Sequence, residues 1–182
     1  MKREHKGGGY TVWRGLWLLV LFLGFSAQGE NNMKFHGALV AEPCVIPAGE
    51  ENIQLDFGTV VDRYLYLNQR TQGQQFELHL AECDLSLAAS IKITFSGEEN
   101  HYLPGLLALS PGSQASGIGI GIESVDGELL PLNKSGQQYP LAKGSNVILF
   151  KAYLAGEPAA IVNKTIERGP FHAVATFKLE YE

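Results

Sequence analysis

Ala175-Thr176-Phe177-Lys178-Leu179-Glu180-Tyr181-Glu182 alternates apolar and polar side chains up to the last residue. Period-two alternation puts every second side chain on one face, the mark of a strand with one buried side. Upstream, Phe171 and Val174-Ala175 extend the apolar content of this terminal strand. A strand that runs to the end of the chain has no turn beyond it and no later strand to pair with. That is an odd ending for a self-sufficient sheet protein.

The same pattern recurs through the chain. Ile53, Leu55 and Phe57 alternate with Gln54 and Asp56 before Gly58. Phe76, Leu78 and Leu80 alternate with Glu77 and His79 and lead into Cys83. Ile91, Ile93 and Phe95 alternate with Lys92 and Thr94, and Ile118, Ile120 and Ile122 alternate with glycines. Asp126-Gly127 is a hairpin signal before Leu129-Leu130, and residues 147–154 form a longer apolar segment. Turn-rich clusters at 68–75, 97–100, 111–116, 133–138 and 156–158 separate the runs. No window of helical length keeps an apolar stripe at 3.6-residue spacing. The pattern predicts an all-β antiparallel sandwich, without helices, in one mature domain.

The first residues read differently. Lys2, Arg3, Lys6 and Arg14 precede the unbroken apolar run Leu16–Phe25, and Ser26-Ala27-Gln28-Gly29 follows it. That run is shorter than the ~20 residues a membrane-spanning helix needs. Basic start, short apolar middle and small-residue exit predict a signal peptide over residues 1–29, cleaved after Gly29. Its removal takes four basic residues and one acid away, so the mature protein is more acidic than the whole chain.

Export changes how the cysteines read. Cys44 and Cys83 are the only two, and an even count in an oxidising compartment predicts one disulfide. Neither has a cation beside it in sequence to lower its pKa, and no CxxC motif is present.

Other chemistry is excluded residue by residue. A net charge of -5 gives no basic face for nucleic acid. His36, His79, His101 and His172 have no metal-ligand spacing, so no metal or cofactor is expected. His79 lies on the polar side of an alternating run, where a solvated side chain is the expectation. No GxSxG elbow surrounds any serine. Gly117, Gly119 and Gly121 are followed by Ile122 where a dinucleotide loop needs its third glycine. Those glycines read as sites of close sheet packing. Glu50-Glu51 and Glu98-Glu99 read as solvated loop charges, so no catalytic residues are assigned.

Met33-Lys34-Phe35-His36-Gly37-Ala38-Leu39 also alternates, yet no turn folds it back before the first cysteine. The F-x-G-x-L-V leader (Phe35 to Val40) stands before Pro43-Cys44, and F-x-L-x-L-x-x-C-D spans Phe76 to Asp84. With the S-G-I-G-I-G-I run, the L-F-K-A-Y segment (Leu149 to Tyr153) and the A-x-F-x-L-x-Y terminus, the mature chain resembles the pilin subunits of bacterial chaperone–usher fimbriae. Gly169, fourteenth from the end, and the penultimate Tyr181 add to the resemblance.

The resemblance implies an incomplete immunoglobulin-like β-sandwich that lacks its final strand and is completed by a donated one. Residues 30–42 become a donor-strand extension and residues 43–182 the pilin domain. Met33, Phe35, Gly37 and Leu39 match the donor face. Gly169, Phe177, Leu179, Tyr181 and the Glu182 carboxylate match the terminus that a periplasmic chaperone recognises. The implied partners are that chaperone, an outer-membrane usher and neighbouring pilin subunits, with export through the periplasm to a fimbrium on the cell surface. The implied function is a structural, minor subunit that polymerises by donor-strand exchange and contributes to cell adhesion. A sugar-binding tip adhesin and a chain-terminating or anchor subunit are the alternatives. Residues 156–168 carry Glu157, Lys164, Glu167 and Arg168, more charge than a major shaft subunit leads one to expect.

Overall fold

The computed structural model describes residues 36–39 and 41–182. The predicted signal peptide, Met33 and Phe35 lie outside the described residues. The chain divides into two units, residues 1–39 and 40–182, and the second carries the fold. Of the first, Gly37 and Leu39 are exposed.

The second unit holds six strands and two short helices. In chain order they are α1 (Asp62–Asn68), β1 (Gln74–Cys83), β2 (Ser90–Ser96), β3 (Ile118–Ser124), β4 (Gln137–Pro140), β5 (Gly144–Gly156), α2 (Pro158–Asn163) and β6 (Thr176–Tyr181). They form two three-stranded antiparallel sheets, ordered β1-β5-β3 and β4-β2-β6. Their apolar faces meet in one core. Ile91, Ile93 and Phe95 face inward from β2, Leu78 and Leu80 from β1, and Ile148, Phe150 and Leu154 from β5. Phe150 sits at the centre, with Phe95 edge-on at 5.1 Å between centroids and Phe76 at 5.5 Å.

β3 is buried on both faces, and its glycines explain how. Gly121 pairs with Tyr153 across the ladder, and the tyrosine ring lies where a Cβ would stand. The Arg70 guanidinium stacks 3.5 Å above that ring and reaches buried Glu123 at 2.9 Å. A Cβ at Gly119 would stand 3.1 Å from Leu103 and 3.2 Å from the Leu107 carbonyl. Glycine here makes room for a second layer over the sheet, as the sequence pattern predicts. Gly121→Ala should therefore displace Tyr153 and destabilise the domain by about 1–3 kcal/mol, read as a lower melting temperature.

Cys44 and Cys83 are joined, with Cα atoms 4.1 Å apart. Beside them Val45 and Ala81 exchange backbone hydrogen bonds of 2.8 and 2.7 Å. Mass spectrometry of the mature protein should give a mass two hydrogens below the reduced chain. Cys83→Ser should cost about 2–5 kcal/mol, measured by chemical unfolding.

Five segments differ from the sequence pattern. The expected absence of helices is corrected by α1 and α2. Each is too short for periodicity to reveal, and each buries a single side chain, Leu65 and Ala160 respectively. Pro158 opens α2, where a missing N–H costs nothing. Turn-rich residues 133–138 run into β4, because Gln137-Gln138-Tyr139-Pro140 pairs with Ile93 to Ser90. Ile53–Phe57 alternates in burial but belongs to no ladder, and Phe171–Ala175 does the same. The Asp126-Gly127 turn forms as predicted, with Gly127 at φ 84° and Ser124 N–H donating to the Glu128 carbonyl at 2.9 Å.

Candidate functional site

The two alternating but unladdered segments face each other across a groove of about 690 Å³. One wall is Glu51–Gly58, with Ile53, Leu55 and Phe57 half-buried. The other is Phe171–Phe177, with Phe171, Ala173, Ala175 and Phe177 half-buried. The floor is apolar: Phe76, Phe95, Leu107, Ile120, Ile122 and Ala152. Phe57 and Phe171 meet from opposite walls, ring centroids 6.2 Å apart. Among the described residues, no backbone hydrogen bond links the walls and none engages Ile53–Phe57.

β6 continues the second wall and carries the terminus. It pairs on one side with β2, matching Phe95 to Phe177, Ile93 to Leu179 and Ile91 to Tyr181. The β2 members are buried to within 7 % exposure, yet Phe177, Leu179 and Tyr181 are only half-buried. They face inward as the sequence pattern predicts, at a sheet edge. An edge strand with inward apolar side chains it cannot cover is a template for another strand. Burial raises the Tyr181 phenol above its ordinary pKa, and its hydroxyl lies 3.5 Å from the Cys44 carbonyl.

The end of the chain is fixed by its own neighbours. The main-chain oxygen of Glu182 accepts from the Ala89 and Ser90 amides at 3.0 and 3.1 Å, and Glu182 N–H donates to Ser90 at 2.9 Å. Its side chain pairs with Lys92 and accepts from Gln138 Nε2 at 3.1 Å. The Glu182 hydrogen bond in turn raises the Lys92 pKa. The ladder therefore sets the β6 register up to the last residue.

Gly169 has a packing role of its own. With φ at 152°, a Cβ there would stand 2.5 Å from the Gln114 Cβ. Pro170 next to it accepts from the Gln114 amide at 2.8 Å, which turns the chain into the second wall. The structure thus gathers Phe177, Leu179 and Tyr181 on one strand, with Glu182 directly after it, and sets Gly169 at the wall's entrance. Sequence reasoning missed the Ile53–Phe57 wall and Leu107. The first carried a readable alternation, whereas nothing periodic surrounds the second. Among the described residues, no three His, Cys, Asp or Glu side chains gather as a metal site. No described helix is long and apolar enough to cross a membrane.

A two-sheet β-sandwich with an apolar groove between unladdered segments, beside an edge strand at its C-terminus, is a domain one strand short. A family model described as Fimbrial protein matches residues 33–182. The uncharacterized fimbrial-like protein YfcP of Escherichia coli K12 is 30 % identical over 178 residues, covering 97 % of this chain and 96 % of that protein. The fimbrial adapter PapK of Escherichia coli is 30 % identical over 171 residues, covering 90 % and 96 %. The crystal structure of the P pilus rod subunit PapA superposes with a TM-score of 0.66 at 23 % identity, over 78 % of this chain and all of that one.

The chain belongs to the fimbrial protein family. It is a fimbrial subunit, a structural protein rather than an enzyme, and its fold is the incomplete immunoglobulin-like one of chaperone–usher pilins.

Proposed function

We propose that this subunit polymerises by donor-strand exchange as a minor structural component of its fimbria, contributing to cell adhesion. The half-burial of Phe177, Leu179 and Tyr181 opposite their fully buried β2 partners carries the reading. These side chains, with Ile53, Leu55 and Phe57 across the groove, present apolar surface and strand edge together. An extended peptide that adds backbone bonds and alternate apolar side chains answers both needs. Residues 30–42 are the donor, with Met33, Phe35 and Leu39 as inserting side chains and Gly37 as the position of closest backbone approach. Each inserted large side chain would contribute roughly 1.5–3 kcal/mol as an upper bound.

The proposed partners supply the strand that the groove lacks. A periplasmic chaperone lends a strand first, and the outer-membrane usher is where the next subunit's extension replaces it. The minor rank is supported by the similarity to an adapter and by the segment after β5. There α2 leads into Glu167, which accepts from Ser116 Oγ, and Arg168, which pairs with Asp62 at 2.7 Å. A synthetic peptide of residues 30–41 should bind the groove of a second copy and raise its melting temperature. A peptide carrying Phe35→Asp and Leu39→Asp should not, and equal effects from the two would end this reading.

A further inference from the structure

Three ties run side by side along β1 and fasten the chain that leads into the first groove wall. Two are the Cys44–Cys83 bridge and the paired bonds of Val45 and Ala81. The third is polar. His79 Nδ1 lies 2.6 Å from Glu50 Oε2, and its Nε2 lies 3.0 Å from Glu77 Oε2. Glu50 immediately precedes the wall, and it closes a turn by donating its N–H to the Pro47 carbonyl at 3.0 Å. Among the described residues Ile53–Phe57 makes no backbone bond. The wall's own side-chain hydrogen bonds are local, from the Gly49 amide to Glu51 and from the Gly58 amide to Asp56, so the Glu50 contact is the nearest polar tie that reaches another element.

The geometry has a charge requirement. A neutral imidazole has one N–H and presents a lone pair at its other nitrogen. Between two carboxylates, the neutral ring must turn that lone pair toward one of them. Only the imidazolium donates to both. Among the described residues, the charges acting on the ring are Glu77 and Glu50, and across the ladder it meets Val147, with Ser145 and Leu149 diagonal to it. The imidazole and both carboxylates are 39–45 % exposed, so bulk protons reach them freely.

We infer that His79 is a proton-operated clasp on the groove wall, holding Glu50 to β1 firmly when protonated and weakening its hold on the Glu50 turn when neutral. The hydrogen bonds it donates to Glu77 and then to Glu50 raise its pKa above the ordinary histidine value. The sign follows from linkage. A histidine whose pKa is higher with the clasp closed stabilises that closed form fully below its open-state pKa. The stabilisation is lost as pH rises through the closed-state value. The wall is therefore firm in acid and looser in mild alkali. The consequence for assembly, easier exchange of the strand in the groove at higher pH, rests on the proposed donor-strand function. The clasp itself does not.

The test is amide hydrogen exchange of residues 51–58 on the mature protein as recovered from the periplasm, corrected for intrinsic pH dependence. It spans about pH 5.5 to about pH 9, with the His79 titration followed by NMR. Opening of the wall should rise at least about twofold as His79 deprotonates, while β2 amides stay unchanged. In Glu50→Gln the rise should disappear. A wild-type wall that opens equally across the His79 titration, or a Glu50→Gln protein with the same rise, would overturn the clasp. Neither readout needs a second subunit, so a failure here is distinct from a failure of the donor-strand reading.

Discussion

Deleting residues 30–41 should abolish polymer formation and leave the folded sandwich with its groove intact. The groove walls, floor and terminal strand all lie within residues 51–182, so the deletion removes none of them. What it removes is the alternating segment proposed to enter the groove of the preceding subunit. The expected result is a subunit recovered with its chaperone and absent from surface fimbriae, scored by gel mobility of undissociated polymers. Gly37→Leu should give the same block from a single side chain. Forcing an added isobutyl group against a tight backbone approach costs roughly 1–3 kcal/mol or more. Polymers of normal length from the deleted chain would remove the role given to Met33, Phe35, Gly37 and Leu39.

Tyr181→Ser, or extension of the chain beyond Glu182, should abolish recovery of the chaperone complex. Phe177, Leu179 and Tyr181 present one apolar edge whose register is set by the pairing of Glu182 with Ala89 and Ser90. Removing the tyrosine ring takes away the last large side chain on that edge. Extension removes the terminal carboxylate on which a basic chaperone residue would form a charge-assisted hydrogen bond. A strand that slips by one residue turns its apolar side chains outward, so loss of this anchor is expected to be close to all-or-none. The assay is a pull-down of tagged chaperone from the periplasm, with the subunit expressed alone as the control for degradation. Normal recovery of the extended chain would contradict the terminal-anchor reading.

Alternation made most of this fold legible. Ile91, Ile93 and Phe95 announced β2, and Phe177, Leu179 and Tyr181 announced β6 with the correct inward face. The elements that escaped are those whose structure is decided at a distance. β4 lies in a turn-rich stretch and becomes a strand because β2 offers it an edge. α1 and α2 are shorter than any helical stripe that sequence can display.

For the groove, legibility was uneven for a physical reason. The terminal strand could be read because its alternation runs to the end of the chain. The opposite wall, Ile53–Phe57, read as one more strand, since sequence shows which face is apolar and not whether a neighbour is present. His79 shows the same limit. Its place on the polar face predicted a solvated side chain, and only the fold brings Glu50 beside it.

In the proposed polymer a strand from another chain fills the groove between Ile53–Phe57 and Phe171–Tyr181. Hydrogen–deuterium exchange on assembled fimbriae tests it most directly. Amides of both walls should be protected together with those of residues 30–41, to the level of β2 in the sandwich core. Walls that exchange freely in the polymer, or residues 30–41 left unprotected, would contradict it.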